Sequence, residues 1–262
     1  MTKNRLITLL SDFDLSDVYV GVMKGVIAQI NPALRVVDLT HQIPPQNIAA
    51  ARFSLMNAVP YFPKETVHIA VVDPGVGSHR RGIALQFDRG FLIGPDNGLF
   101  SGVLKQNSVL AAVELTNCQY WRTVAPSTTF HGRDIFAAVG AHLASGVPIE
   151  QLGEAIDPKT LVQLEMPEPI VTNTDIAGSI QYIDHFGNLI TNIPGTDVRG
   201  KTWAVAIGDR IISSNQTYSD TQPGELVALI SSEGWVEIAV NGSSAQSLLQ
   251  LDWGAKVQVI FN

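Results

Sequence analysis

The sequence predicts an α/β protein in two parts: an N-terminal α/β/α domain with a mostly parallel sheet, and a smaller C-terminal antiparallel β-barrel domain. Three observations predict it. In the first half, short apolar runs of strand length alternate with helix-period stripes, the pattern of strand–helix–strand crossovers. Over residues 147–169 that pattern gives way to a stretch punctuated by Pro148, Pro158, Pro167 and Pro169, which reads as a linker. Beyond it come short β-type runs separated by Gly, Asn and Asp turns, which suit a small barrel or sandwich. The boundary is expected near residue 168, giving domains 1–168 and 169–262.

Residues 5–10 read as a buried first strand running into Ser11-Asp12-Phe13-Asp14-Leu15-Ser16-Asp17, a loop rich in carboxylates. A helix follows. Tyr19, Val22, Met23, Val26, Ile27 and Ile30 form its stripe, Asp17 suits its positive N-terminal end, and Asn31-Pro32 stops it. Residues 34–39 make a second strand, Asn47 caps a helix through Ala49, Phe53, Leu55 and Met56, and 67–72 form a third strand. Residues 82–87 and 90–93 add strands, 97–104 a short helix, 109–115 another strand, and 134–144 a helix that Gly146 stops. In the second half strands are expected at 178–183, 189–193, 203–207, 226–230, 235–240 and 257–261.

The chain has 262 residues, 45% of them hydrophobic and 16% charged, and no apolar run approaches the roughly 18 residues that would span a bilayer. A net charge of −7 without a basic stripe argues against a nucleic-acid partner. The single cysteine, Cys118, excludes an intrachain disulfide and a cysteine-rich zinc site, and makes the cytoplasm the default compartment. Met1-Thr2-Lys3-Asn4-Arg5 leads straight into a strand-length run with no small-residue cleavage site, so no secretory signal is expected.

The stretch richest in chemistry is Val71-Val72-Asp73-Pro74-Gly75-Val76-Gly77-Ser78-His79-Arg80-Arg81. Asp73 falls at the carboxyl end of the third strand, the edge where open α/β sheets bind ligands. Pro74-Gly75 forces a turn, so Asp73 and Arg80 could face each other across the loop. The plainer reading is that Asp73 caps the turn and Arg80 or Arg81 is a solvated cation. Asp12, Asp14 and Asp17 could accept hydrogen bonds from a ribose diol or hold magnesium; equally, they could form a polar turn and a helix cap. Asp12-Phe13-Asp14 also resembles the start of an aspartyl-phosphate phosphatase motif, but the late acidic pair such a site needs for its metal is missing from the sequence. Gly75-Val76-Gly77 lacks the third glycine of a dinucleotide fingerprint. Thr128-Thr129-Phe130-His131-Gly132-Arg133-Asp134 sets an imidazole before a helix, where histidine is more often structural than catalytic. Tyr182-Ile183-Asp184-His185-Phe186-Gly187-Asn188 read alone is a hairpin turn with Phe186 in the core.

Together, Ser11-Asp12-Phe13 with Asp17, Val72-Asp73-Pro74-Gly75-Val76-Gly77 with Arg80, Gly94-Pro95-Asp96-Asn97-Gly98, Phe130-His131-Gly132-Arg133-Asp134 and Asp184-His185-Phe186-Gly187-Asn188 resemble the S-adenosylmethionine hydroxide adenosyltransferases. These are adenosine-forming hydrolases related to the fluorinase and chlorinase. The resemblance implies an α/β domain joined to a β-barrel, and a homotrimer whose active sites lie between neighbouring subunits. It implies Asp73, Arg80 and His131 as the catalytic group and Asp12 as the ribose-binding carboxylate, with Phe130 beside it as a substrate contact. Asp184 and Asn188 become the methionine-binding pair, Phe186 the ring-contacting aromatic, and Ser232, Glu237 and Val240 the lining of the nucleoside and amino-acid pockets. No metal and no cofactor are implied. Gln46 stands where the halogenases carry an aromatic wall, the long insertion typical of the fluorinase after Arg80 is missing, and Asp73 replaces a halogenase tyrosine. A carboxylate there would repel a halide, so hydroxide transfer is expected.

The implied reaction is in-line attack of water on the ribose C5′ of S-adenosylmethionine. The sulfonium leaves as a neutral thioether and needs no general acid. A guanidinium about 4 Å from the nucleophile, at an effective dielectric near 20, stabilises hydroxide by about 4 kcal/mol, roughly three pKa units. Water starts near 15.7, so a base acting in the transition state is expected, with Asp73 and His131 as candidates. A nucleoside-binding module without turnover is the non-enzymatic alternative; it would have no need of an Asp-Arg-His cluster.

Overall fold

The computed structural model describes residues 4–261, so the reading placed on Met1 to Lys3 lies outside it. The chain divides into two compact units, Met1–Leu164 and Glu165–Asn262.

The first unit is built on a seven-stranded sheet. Its elements are β1 (Ile7–Ser11), α1 (Tyr19–Ile30), β2 (Val36–Thr40), α2 (Ile48–Ala58), β3 (Thr66–Val71), β4 (Gly82–Phe87), β5 (Gly90–Pro95), α3 (Ser101–Leu104), β6 (Val109–Glu114), α4 (Ala137–Ala144) and β7 (Glu154–Ala155). The strand order is β2-β1-β3-β5-β4-β6-β7. Pairing is parallel from β2 through β5 and antiparallel from there to β7. The sheet is therefore mixed, and the reason is local: only Asp88 and Arg89 join β4 to β5, which leaves no room for a crossover. α1 and α4 cover the face that carries Ile7, Leu9, Val67, Ile69 and Val71. A Cβ on Gly140 of α4 would come within 2.4 Å of Ile69, so this helix lies close against the strand.

Several helix ends follow the sequence. Asn47 caps α2 by accepting from the Ala50 amide at 2.9 Å, and Gly146, with φ +104°, ends the α4 segment with its N–H donated to the Leu143 carbonyl. Others do not. α1 begins at Tyr19 with Val18 in the cap position, so Asp17 precedes the helix and makes no cap bond. The helix expected over 97–104 is confined to Ser101–Leu104, because Gly98 has φ +92° and the Asn97 side chain donates to the Val72 carbonyl and accepts from the Leu99 amide in a turn of its own. Ahead of α4, Gly132–Phe136 winds as a π-turn.

The feature that matters for function is the register of β1 and β3, parallel neighbours in which Ser11 lies opposite Val71. The loops that start at Asp12 and Val72 thus leave the same edge side by side.

The second unit contains β8 (Ile170–Val171), β9 (Asp175–Ile183), β10 (Leu189–Pro194), β11 (Trp203–Ile207), β12 (Arg210–Ser213), β13 (Leu226–Ile230), β14 (Trp235–Val240), α5 (Ala245–Leu249) and β15 (Lys256–Phe261). The order β12-β11-β15-β9-β10-β14-β13 is antiparallel throughout, with β8 added on β9. A bridge between Ser214 and Ala228 links the two ends, so the sheet is a nearly closed barrel. Its interior holds Ile176, Ile193, Val205, Val236, Ile238 and Val259. β12 and α5 were not foreseen in the sequence. No helix among the described residues is long and apolar enough to cross a membrane.

Candidate active site

The turn after β3 is built by its own sequence. Val76 N–H donates to the Asp73 carbonyl at 3.2 Å, and the Ser78 side chain both donates to the Gly75 carbonyl and accepts from the Arg80 amide. Gly77 takes φ +76° and lies so close to the 128–131 segment that a Cβ there would sit 2.3 Å from the Thr128 carbonyl oxygen. Glycine is what lets these two segments meet.

Arg80 is clamped where they do. Its Nε donates to Asp73 Oδ1 and Oδ2 at 2.9 and 3.0 Å, and its Nη2 donates to Asp73 Oδ2 at 2.5 Å and to His131 Nδ1 at 2.7 Å. Arg80 and Asp73 have side chains only 11% and 5% exposed, so this ion pair is screened little by water. A guanidinium only donates, so His131 Nδ1 must accept, and the neutral ring then carries its proton on Nε2. Burial, followed by the Arg80 charge, lowers the His131 pKa and outweighs the opposing pull of Asp73 and Asp134. The plainer reading of Arg80 as a solvated cation is thereby excluded.

Neighbouring motif residues hold this cluster in place. Arg81 donates to Asp96 Oδ2 from Nε at 2.9 Å and Nη2 at 2.5 Å, and Asn97 Nδ2 donates to the Val72 carbonyl at 2.8 Å. Both ends of the loop are tied to the turn after β5. Asp134, fully buried, accepts from Arg122, Arg133 and the Ser127 amide. Burial would raise its pKa, but the hydrogen bonds from Arg133 and Arg122 prevail and hold it well below the usual carboxylate range. On the β1 side, Asp12 Oδ2 accepts from the Gln46 amide at 2.8 Å. Its loop is anchored beneath by Ser11 Oγ against His41 Nδ1 at 2.7 Å and by the Asp14 amide on the His41 carbonyl at 2.8 Å.

Asp12, Asp73, Phe130 and His131 line one cleft of about 380 Å³ with Phe13, Tyr19 and Gln46. Phe13, Tyr19 and Phe130 form an aromatic wall with centroids 5.2 to 5.9 Å apart. The second unit has its own pocket of about 750 Å³, and Asp184, Phe186, Asn188, Ser232, Glu237 and Val240 all line it. The Asp184 carboxylate shapes that pocket's turn by accepting from the Phe186 and Asn188 amides and from Asn188 Nδ2, each at 2.9 Å. Phe186 is 73% exposed, which corrects its placement in the core: the turn projects beyond the barrel, and the ring stands at the pocket's edge.

Sequence reasoning missed Tyr218, whose hydroxyl donates to Glu237 Oε1 at 2.8 Å. It also missed Glu233 and the Gly242 to Ser244 turn in the same pocket. The available signal was the Thr217 to Asp220 capping box, which marks a tight turn and presents Tyr218 from it. Burial first, then the nearby charges of Asp184 and Glu233, raise the Glu237 pKa to about 7 against the opposing hydrogen bond from Tyr218. Among the described residues no three or more His, Cys, Asp and Glu side chains gather as a metal site would require.

An α/β unit with a charged cluster at the carboxyl edge of its sheet, followed by a barrel unit with an acidic pocket, matches one family at both ends. Residues 7–153 match the SAM hydroxide adenosyltransferase N-terminal domain and residues 178–258 its C-terminal domain, and the chain belongs to this family. It is 40% identical over 260 residues to an (R)-S-adenosyl-L-methionine hydrolase of Salinispora tropica, covering 99% of both chains. It is 28% identical to a fluorinase of Nocardia brasiliensis over 98% of this chain and 97% of that one. Among solved structures, an uncharacterized conserved protein from Thermotoga maritima superposes with a TM-score of 0.91 at 35% identity, over 97% of this chain and 99% of that one.

Proposed function

We propose that the protein hydrolyses S-adenosyl-L-methionine to adenosine and L-methionine by attack of water on the ribose C5′. The observation that carries this is the Asp73–Arg80–His131 cluster, in which Arg80 bonds both Asp73 and His131 and these two line a cleft at the sheet edge. Family membership and 40% identity to a hydrolase, against 28% to a fluorinase, support hydrolysis over halogenation.

The hydrogen bonds divide the roles. His131 Nδ1 is occupied by Arg80, so the ring offers an N–H and no free lone pair at that nitrogen; it orients the nucleophile. Asp73 Oδ2 already accepts from both Nε and Nη2 of Arg80, whereas Oδ1 accepts one bond and keeps a lone pair, so Oδ1 is the acceptor for the water proton. As the water oxygen bonds to C5′, the C5′–S bond breaks, the electron pair passes to sulfur as a neutral thioether, and the proton moves to Asp73. Arg80 holds the carboxylate in one place and offsets the negative charge developing on oxygen. Asp12 and Phe130 contact the ribose side of the substrate. Asp184, Phe186, Asn188, Ser232, Glu237 and Val240 contact the rest.

The family resemblance supports a homotrimer in which one subunit's first unit and a neighbour's second unit share each substrate, without metal or cofactor, and the single cysteine supports a cytoplasmic setting. The relatives' names specify the (R) form. Because L already fixes the amino-acid carbon, we assign (R) to the pyramidal sulfonium and expect the same preference here. Incubation with each sulfonium epimer, followed by chromatography, should show adenosine and methionine in equal amounts from the (R) form, unchanged by EDTA. Phosphate release from phosphate esters in place of adenosine formation would overturn the proposal.

A further inference from the structure

Glu237 is a charged residue type set into a barrel wall. On β14 it pairs with Leu229 of β13 on one side and Ile190 of β10 on the other, and it is 3% exposed. Its Oε1 accepts from Tyr218, and its Oε2 meets no protein donor among the described residues while the side chain lines the pocket. The ionisable groups sharing the pocket are Asp184 from the turn after β9, Glu233 from the turn before β14 and Tyr218. No Lys, Arg or His belongs to the lining. A buried carboxyl with an open oxygen, facing two more carboxyls and no cation, is poorly compensated until a positive ligand arrives.

We propose that Glu237, held in place by Tyr218, is the specificity-determining group that makes the pocket prefer a sulfonium substrate to its neutral thioether counterpart. The inference rests on the hydrolase reading and extends it to how substrate and spent ligand are told apart. S-adenosylmethionine and its demethylated thioether share the nucleoside and the zwitterionic amino-acid end, and differ by one methyl group and one positive charge. A carboxylate in this low-dielectric wall acts on that charge difference, whereas the aromatic and hydrogen-bonding contacts act on both ligands alike. After reaction the positive charge is gone, and adenosine and methionine lose this attraction together.

The chemistry has a pH signature. Glu237 is neutral more of the time below about pH 7 and ionised above it. The preference for the cation should therefore grow as pH rises.

The test measures KM and kcat for S-adenosylmethionine, and the inhibition constant of the thioether, at about pH 6 and pH 8. The wild type should show a ratio of inhibition constant to KM that rises between the two. Glu237→Gln keeps an oxygen acceptor for Tyr218 but removes the charge. It should lower the ratio at pH 8 about tenfold, mainly through KM, and flatten its pH dependence. Tyr218→Phe should weaken both ligands by similar factors and leave a pH-dependent ratio. An unchanged ratio in Glu237→Gln, with an intact fold by circular dichroism, overturns the proposal. Failure of the wild type to turn over S-adenosylmethionine would instead overturn the hydrolase reading on which it rests.

Discussion

The two pockets of this chain handle charge in opposite ways. In the first unit, Asp73 and Arg80 neutralise each other, and a neutral His131 completes the cluster. In the second, Asp184, Glu233 and Glu237 face one cavity with no cation among the lining residues. Compensation fixes geometry, because a bidentate guanidinium–carboxylate pair has one good arrangement and resists rotation. Surplus charge favours a positive ligand and then gives that attraction up when the charge disappears. The first arrangement suits a site that must aim a nucleophile; the second suits one that must collect a sulfonium and release a thioether.

The largest expected effect separates the two regions by what they change. Arg80→Ala and Asp73→Asn should each lower kcat by about 10² to 10⁴-fold while KM moves little. The measurement is steady-state adenosine release. If KM rises as steeply as kcat falls, the cluster is a binding element and the contrast collapses. High chloride or fluoride should give no 5′-halogenated nucleoside by mass spectrometry, since Asp73 lines the cleft and a carboxylate in the role proposed for it repels a halide.

A second, smaller effect should run the other way. Asp184→Asn preserves acceptors for the Phe186 and Asn188 amides but removes the charge and the bond from Asn188 Nδ2. KM should rise by about tenfold or somewhat more, the worth of a hydrogen bond to a charged group, with kcat nearly unchanged. Asn97→Ala should be smaller again. It removes the bond to the Val72 carbonyl, costing about 1–2 kcal/mol in urea unfolding and a few-fold in kcat as the Asp73 loop loosens.

The contrast between these regions also explains what the sequence revealed. The first cluster was largely legible because its chemistry is local: Pro74-Gly75 turns the chain so that Asp73 and Arg80 meet seven residues apart, and the strand before it is a β-branched run in which His68 is the one ionisable residue. His131 needed the resemblance, since its contact with Arg80 spans 51 residues and depends on Gly77 packing against Thr128. Tyr218 stayed hidden because it meets Glu237 only through the barrel's pairing of β13 with β14. The roles of Arg81, Asp96 and Asn97 were also out of reach: their motif was visible, but the partners Thr160, Val162 and Val72 follow from tertiary packing. Mixed sheet direction was hard to read for a simpler reason. β4 and β5 are buried on both faces, so their apolar runs resemble parallel strands until the two-residue connection is taken into account.

The finest prediction uses protons to compare the regions. His131 has a folded-state pKa below its usual 6.5, so as pH falls through about 6.5 the unfolded chain gains a proton that the folded chain refuses. Its contribution to stability is present above that pH and is lost below it. Glu237 has the opposite sign. Its folded pKa, raised to about 7 from an unfolded value near 4.5, means the folded chain holds a proton that the unfolded chain has released. That contribution is present below about pH 4.5 and declines as pH rises to about 7. Urea midpoints of each variant, subtracted from wild type across about pH 4 to 8, isolate the two terms. The His131→Gln difference should shrink toward acid below about pH 6.5, because Gln still accepts from Arg80 but does not titrate. The Glu237→Gln difference should change in the opposite direction between about pH 4.5 and 7. Two difference curves of the same slope would mean that the regions do not treat charge differently after all, and that the acidic pocket is compensated by groups it shares with the rest of the protein.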